Sequence, residues 1–145
     1  MPDDLRPDLT GLHVLLVDDN EDARLILGLF LGDCGATVTT ARNAGDALAA
    51  VNEVRAHIII SDLSMPGMDG VELLARIRSL PAERESPTPA IAFTGYNTRE
   101  NREAAQQAGF DMFIPKPADP LDVANHIGRL ARRDRRSGGD RTQDG

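Results

Sequence analysis

The sequence predicts an α/β protein in which five parallel strands form one doubly wound sheet, in the order 2-1-3-4-5, with five helices on its two faces. Three observations carry this expectation. Five short apolar or β-branched runs alternate with segments of helical periodicity along a chain of 145 residues, and such alternation implies a parallel sheet joined by right-handed crossovers. Ile58, Ile59 and Ile60 follow one another with no polar residue between them, as in a strand covered on both faces. The runs also end on functional side chains: Asp18 and Asp19, Asp62, Thr94 and Lys116. In open α/β sheets the strand carboxyl ends form the ligand-binding edge, at the point where strand order reverses.

Each element has its own signal. Residues 1–10 set Pro2 and Pro7 among acids and read as a flexible lead-in to a domain over residues 11–132. Leu12 to Val17 (LHVLLV) is the first strand, and Asn20 caps a helix that turns Ala23, Leu27, Phe30, Leu31 and Cys34 inward before Gly35 stops it. Ala36 to Thr40 (ATVTT) is weakly apolar, which suits an edge strand. That edge position, with the first and third strands central, is what selects the order 2-1-3-4-5. Asn43 caps a second helix with Ala47, Leu48, Val51 and Val54 as its buried stripe. After the isoleucine strand, the loop SMPGMDG punctuates the chain with Pro66, Gly67 and Gly70.

A third helix over Val71 to Leu80 then points Leu73, Leu74 and Ile77 inward, and residues 81–89 (PAERESPTP) form a polar loop. Ala90 to Thr94 is the fourth strand. The fourth helix, about Thr98 to Ala108, has only Ala104, Ala105 and Ala108 on its apolar side. Phe110 to Ile114 makes the fifth strand, which Pro115, Lys116 and Pro117 end abruptly. Asp119 or Pro120 opens the last helix, with Val123, Ile127, Leu130 and Ala131 inward. Residues 133–145 carry no apolar side chain and read as a disordered Arg/Gly-rich tail.

Composition excludes several function classes. No run approaches the roughly 20 apolar residues needed to span a bilayer, and the acidic opening MPDDLRPD is unlike a signal peptide, so the expected compartment is the cytoplasm without membrane insertion. Cys34 is the only cysteine, which excludes an intramolecular disulfide and a cysteine-based zinc site. The net charge is −7, and before Arg129 there are ten basic against twenty acidic residues. Such a body argues against direct contact with nucleic acid.

The strand-end acids point to chemistry. Asp18, Asp19 and Asp62 converging on one edge repel one another, which raises the pKa of one of them or destabilises the fold locally unless a cation intervenes. Magnesium, which prefers oxygen ligands and is usually held by one or two carboxylates plus phosphate, suits this group better than calcium does. Lys116 supplies a point charge of the phosphate-pairing kind, and it is the only lysine beside 15 arginines.

The motifs VLLVDDNEDAR, IIISDLSMPGMDG, AFTG and Pro-Lys-Pro, in this order over residues 12–132, resemble the receiver domain of two-component response regulators of the single-domain type. The resemblance implies a flavodoxin-like fold and a phosphoacceptor role for Asp62, which would attack the phosphohistidine of a histidine kinase or histidine phosphotransfer protein. It implies that Asp19, Asp62 and the backbone carbonyl of Ser64 hold Mg2+ directly, that Asp18 does so through water, and that Thr94 and Lys116 hold phosphoryl oxygens. Thr94 and Phe113 would form the switch. A downstream protein would read it on the face of the fourth helix, fifth strand and fifth helix. Such a protein is a self-phosphorylating and self-dephosphorylating signal carrier, not an enzyme with turnover. The tail after Ala131 is too short for a DNA-binding or cyclase module, so a stand-alone receiver is expected, with the receiver of a hybrid histidine kinase as the alternative.

Two rivals fit less well. A haloacid-dehalogenase-like phosphatase also uses a strand-end aspartate with magnesium, but it needs a second aspartate two positions later, where this chain has Ser64. A flavodoxin needs a hydroxyl- and glycine-rich phosphate loop where Asp18, Asp19 and Asn20 stand. Taken singly, Asp18 and Asp19 could serve only the helix dipole, Phe113 could be plain core, and Cys34 reads as a buried helix filler. His13, His57 and His126 lack ligand spacing, and the arginines at 129–136 read as the solvated end of a helix.

Overall fold

The computed structural model describes residues 5–144. The strands are β1 (His13–Val17), β2 (Thr37–Ala41), β3 (Ile58–Ser61), β4 (Ala90–Thr94) and β5 (Met112–Pro115), all parallel, in the order β2-β1-β3-β4-β5. Among the described residues there are six helices: α1 (Glu21–Asp33), α2 (Ala44–Glu53), α3 (Gly70–Arg78), α4 (Pro81–Glu85), α5 (Arg99–Ala108) and α6 (Pro120–Asp144). The α/β class, the strand order and β2 at the edge agree with the sequence.

Alternation along the central strands builds two cores. Val14, Leu16, Ile58, Ile60, Ile91 and Ile114 face α1 and α6, while Leu15, Val17, Ile59 and Ala92 face α2, α3 and α5. This is why the three consecutive isoleucines carry no polar partner: all are at most 2% exposed, each burial contributing about 2 kcal/mol. Helix starts follow their caps. Asn20, Asn43, Asp69 and Thr98 each accept a backbone N–H from the first turn, and Gly109 ends α5 with φ of 110°, a conformation that glycine adopts without steric cost.

Three expectations need correction. The expected loop at 81–89 begins with the helical turn α4, because Pro81 at the first helical position has a φ already suited to a helix. It also carries Glu83, a buried carboxylate that meets Arg78 at 2.8 Å and Arg55 at 3.3 Å. The N–H of Thr88 donates to Glu83 at 2.9 Å, the Thr88 hydroxyl donates to its other oxygen, and Arg55 also donates to the Ser86 carbonyl. Next, the lead-in is anchored where it is described: Leu9 is fully buried and its N–H donates to the Cys34 carbonyl at 2.8 Å. Residues 1–4 of that lead-in lie outside the described residues. The backbone of α6 is helical to Asp144. Last, Val54 is exposed, because α2 ends at Glu53 and the extended backbone of Val54 leaves the helical stripe.

Candidate functional site

Asp18 and Asp62 sit one residue beyond the last paired residues of β1 and β3. The Asp18 N–H donates to the Ala41 carbonyl at 3.0 Å and the Asp62 N–H to the Val17 carbonyl at 2.9 Å, so the ladder itself delivers both acids to the same edge. Carboxylate oxygens of Asp18, Asp19 and Asp62 all lie within 4.8 Å of one another. At such separations each like-charge pair costs on the order of 4 kcal/mol in a partly screened environment.

Lys116 partly offsets this. Its Nζ donates to Asp18 Oδ2 at 2.6 Å and to Asp62 Oδ2 at 3.1 Å, and it stands 5.1 Å from the centre of the Phe93 ring. Burial alone would lower the lysine pKa, but the hydrogen bond and charge of Asp18, with those of Asp62, outweigh it, so the ammonium titrates above the ordinary lysine range. Lys116 is delivered by β5: its N–H donates to the Thr94 carbonyl at 2.8 Å, and its peptide bond to Pro117 is cis.

The remaining oxygens of the two buried acids are also held. Asp18 Oδ1 accepts the Asn20 N–H at 2.9 Å, and Asp62 Oδ1 accepts the Ser64 N–H at 3.0 Å. Asp19 is exposed and makes no hydrogen bond of its own among the described residues. The group therefore offers three carboxylates against one ammonium, with only hard oxygen donors, which fits a hard divalent cation.

Thr94 comes to the same edge, fully buried, but its Oγ1 accepts the Tyr96 N–H at 3.3 Å and makes no hydrogen bond to the carboxylates. Phe113 is half-buried on β5, with the Arg102 guanidinium of α5 5.6 Å from its ring centre. A groove of about 390 Å³ runs along the loop that follows β3, lined among others by Ser64, Met65, Tyr96 and Asn101.

Two further residues shape the site without any signal in the chain order. Gly70 opens α3 against the Asp62 backbone, so tightly that a Cβ there would lie 2.2 Å from the Asp62 carbonyl oxygen. Sequence alone reads this glycine as loop punctuation, whereas the requirement is for close approach. Arg24 reaches back from α1 to donate to the Asp18 carbonyl at 2.8 Å, and nothing in its spacing foretells the contact.

A strand-end acid cluster bridged by a lysine, on a sheet of this order, coincides with a family match over residues 14–128 to the response regulator receiver domain. The chain belongs to that family. The receiver domain is 43% identical over 115 residues to the uncharacterized 14.6 kDa protein in the sodA1 3′ region of Leptolyngbya boryana, covering 79% of this chain and 86% of that protein. It is 34% identical to the transcriptional regulatory protein ResD of Bacillus subtilis, over 83% of this chain and 48% of ResD. To the sensor histidine kinase GacS of Pseudomonas protegens it is also 34% identical, over 79% of this chain but 13% of GacS. The chain thus spans most of the first relative and half or less of the other two.

Among solved structures, the receiver domain resembles a CheY-like response regulator receiver protein of Methanospirillum hungatei with a TM-score of 0.80 and 28% identity, covering 87% of this chain and 98% of that one. It resembles the chemotaxis response regulator CheY4 of Vibrio cholerae with a TM-score of 0.77 and 30% identity, covering 83% and 99%. This is a receiver of two-component signalling. No helix among the described residues is long and apolar enough to cross a membrane.

Proposed function

We propose that this receiver domain accepts a phosphoryl group on Asp62 from a phosphohistidine of a histidine kinase or phosphotransfer protein, with Mg2+ bound at the acid cluster, and passes the signal on by protein contact. The observation that carries this reading is the pair of contacts from Lys116 to Asp18 and Asp62, within a group of three carboxylates. Asp19, Asp62 and the Ser64 carbonyl would hold the ion directly, and Asp18 through water. The ion would supply charge neutralisation for the transferred group's oxygens.

The protein's own work is positioning. A carboxylate oxygen of Asp62 attacks phosphorus in line, a P–O bond forms as the P–N bond breaks, and the released imidazole nitrogen regains its electron pair. Lys116, already at hydrogen-bond distance from Asp62, shifts its donors to a phosphoryl oxygen. Thr94 Oγ1 gives up its contact with the Tyr96 N–H to donate a hydrogen bond to the same group. That movement empties space into which Phe113 turns, away from Arg102. The face of α5, β5 and α6 then differs between the two states, and a downstream protein reads the difference.

Labelling with acetyl phosphate in the presence of Mg2+ tests the site: Asp62→Asn should abolish it, and labelling that persists at the wild-type rate overturns the assignment. A second reading, the receiver of a hybrid histidine kinase, is favoured by the match to GacS. Kinase sequence upstream in the native gene would decide for it.

A further inference from the structure

We propose that Arg24 is a positioning residue for Asp19, and so for the cation site; this rests on the magnesium reading above. Asp19 is the unsupported member of the cluster. The carboxylates of Asp18 and Asp62 are each held by a backbone N–H and by Lys116, whereas Asp19 is exposed and accepts no hydrogen bond among the described residues. Its oxygen nevertheless lies within 4.8 Å of the others. Only the backbone can be directing it there.

That backbone is held by Arg24. The carbonyl of Asp18 and the N–H of Asp19 share one planar peptide unit, so the orientation of that carbonyl sets where the Asp19 Cα and side chain go. On its other side Asp18 is tied to the sheet through its N–H and the Ala41 carbonyl. The Asp18 carbonyl lies past the end of β1, and it is the Arg24 guanidinium, 2.8 Å away and half-buried, that fixes it. Arg24 is itself anchored in the first turn of α1, where its N–H donates to the Asn20 carbonyl at 3.0 Å. The result is a closed loop of contacts from β1 through Asp18 and Asn20 to α1 and back, with Asp19 at its tip.

The sign of the effect separates this role from simple charge. A nearby guanidinium acting only by its charge disfavours a second cation, so removing it would tighten Mg2+ binding; a guanidinium that positions a ligand does the opposite. Calorimetric titration of the full chain with Mg2+, alongside thermal melts, tests this. Arg24→Met should bind Mg2+ about tenfold more weakly, the low end for loss of a residue that orients a metal ligand. Arg24→Lys, which keeps the charge but not the forked guanidinium, should also bind more weakly and serves where the methionine variant folds poorly.

In an Asp19→Ala background, Arg24→Met should bring no further loss. Unchanged or tighter binding in both Arg24 variants, or a fully additive loss in the Asp19→Ala background, overturns the proposal while leaving the magnesium reading intact. A wild-type protein that shows no saturable Mg2+ binding overturns that reading, and this proposal with it.

Discussion

Lys116 and Asp18 are 98 positions apart in the chain, yet the lysine Nζ lies 2.6 Å from Asp18 Oδ2, closer than the 3.1 Å that separates it from Asp62 Oδ2. The ammonium thus leans toward the more buried acid, Asp18 at 2% exposure. This ordering has energetic meaning, since a charge removed from water depends most on its partner.

Lys116→Met should therefore destabilise the fold by about 3 kcal/mol, the cost of leaving a buried carboxylate unpaired, and millimolar Mg2+ should restore part of it. Urea denaturation with and without Mg2+ measures both effects; a change below about 0.5 kcal/mol, the level of ordinary surface substitutions, would remove the pair from any account of stability. The pH dependence has a defined sign. Because the folded-state pKa of Lys116 is raised by Asp18 and Asp62, its stabilisation is complete below the unfolded lysine value of about 10.4 and is lost as pH climbs through the higher folded value. The gap between wild type and Lys116→Met should be constant through neutrality and close only in strong alkali.

Gly70→Ala tests the close approach of α3 to the Asp62 backbone. A methyl group 2.2 Å from the Asp62 carbonyl oxygen forces backbone movement, with an expected cost of about 2 kcal/mol and weaker Mg2+ binding. Wild-type values for both would show that α3 can shift without moving Asp62.

Glu83 should matter for stability and not for the site. Its network ties α4 to Arg78 and Arg55, and Arg78 continues to the Gly109 carbonyl at 2.9 Å. These contacts gather near the start of β4, where the Ala90 N–H donates to Asp111 at 2.9 Å, the edge opposite the acids. Glu83→Ala should cost about 3 kcal/mol by leaving Arg78 without its buried partner. Mg2+ affinity should be unchanged; a marked loss would mean that the two edges are coupled.

The helix α5 buries only Ala105 fully, which gives it the sparse apolar contact of a low-stability element. Amide exchange with and without a beryllofluoride phosphoryl mimic should show altered protection over residues 95–115. Identical protection in the two states would rule out this segment as the responding element.

How much of this was legible in the sequence can be judged residue by residue. The isoleucine run and the caps Asn20 and Asn43 declare their local structure because backbone geometry and burial periodicity act over a few positions. Hence the strands, their order and the acids at their ends follow from the chain alone. Val54 and α4 did not, because a stripe extrapolated past a helix end has no meaning, and because Glu83 is stabilised by arginines from two other segments.

The sequence by itself determined that Asp18, Asp19, Asp62, Thr94 and Lys116 stand at one edge of a parallel sheet, since strand ends and crossover handedness leave little freedom there. Only the tertiary structure decided which of them touch: Lys116 bridges Asp18 and Asp62, Thr94 faces its own loop, Asp19 is unsupported, and Gly70 and Arg24 press on the backbone of the acids. The reason is one of scale. Periodicity places a residue to within the width of an element, whereas a hydrogen bond or a steric contact is decided within a few tenths of an ångström by segments far apart in the chain.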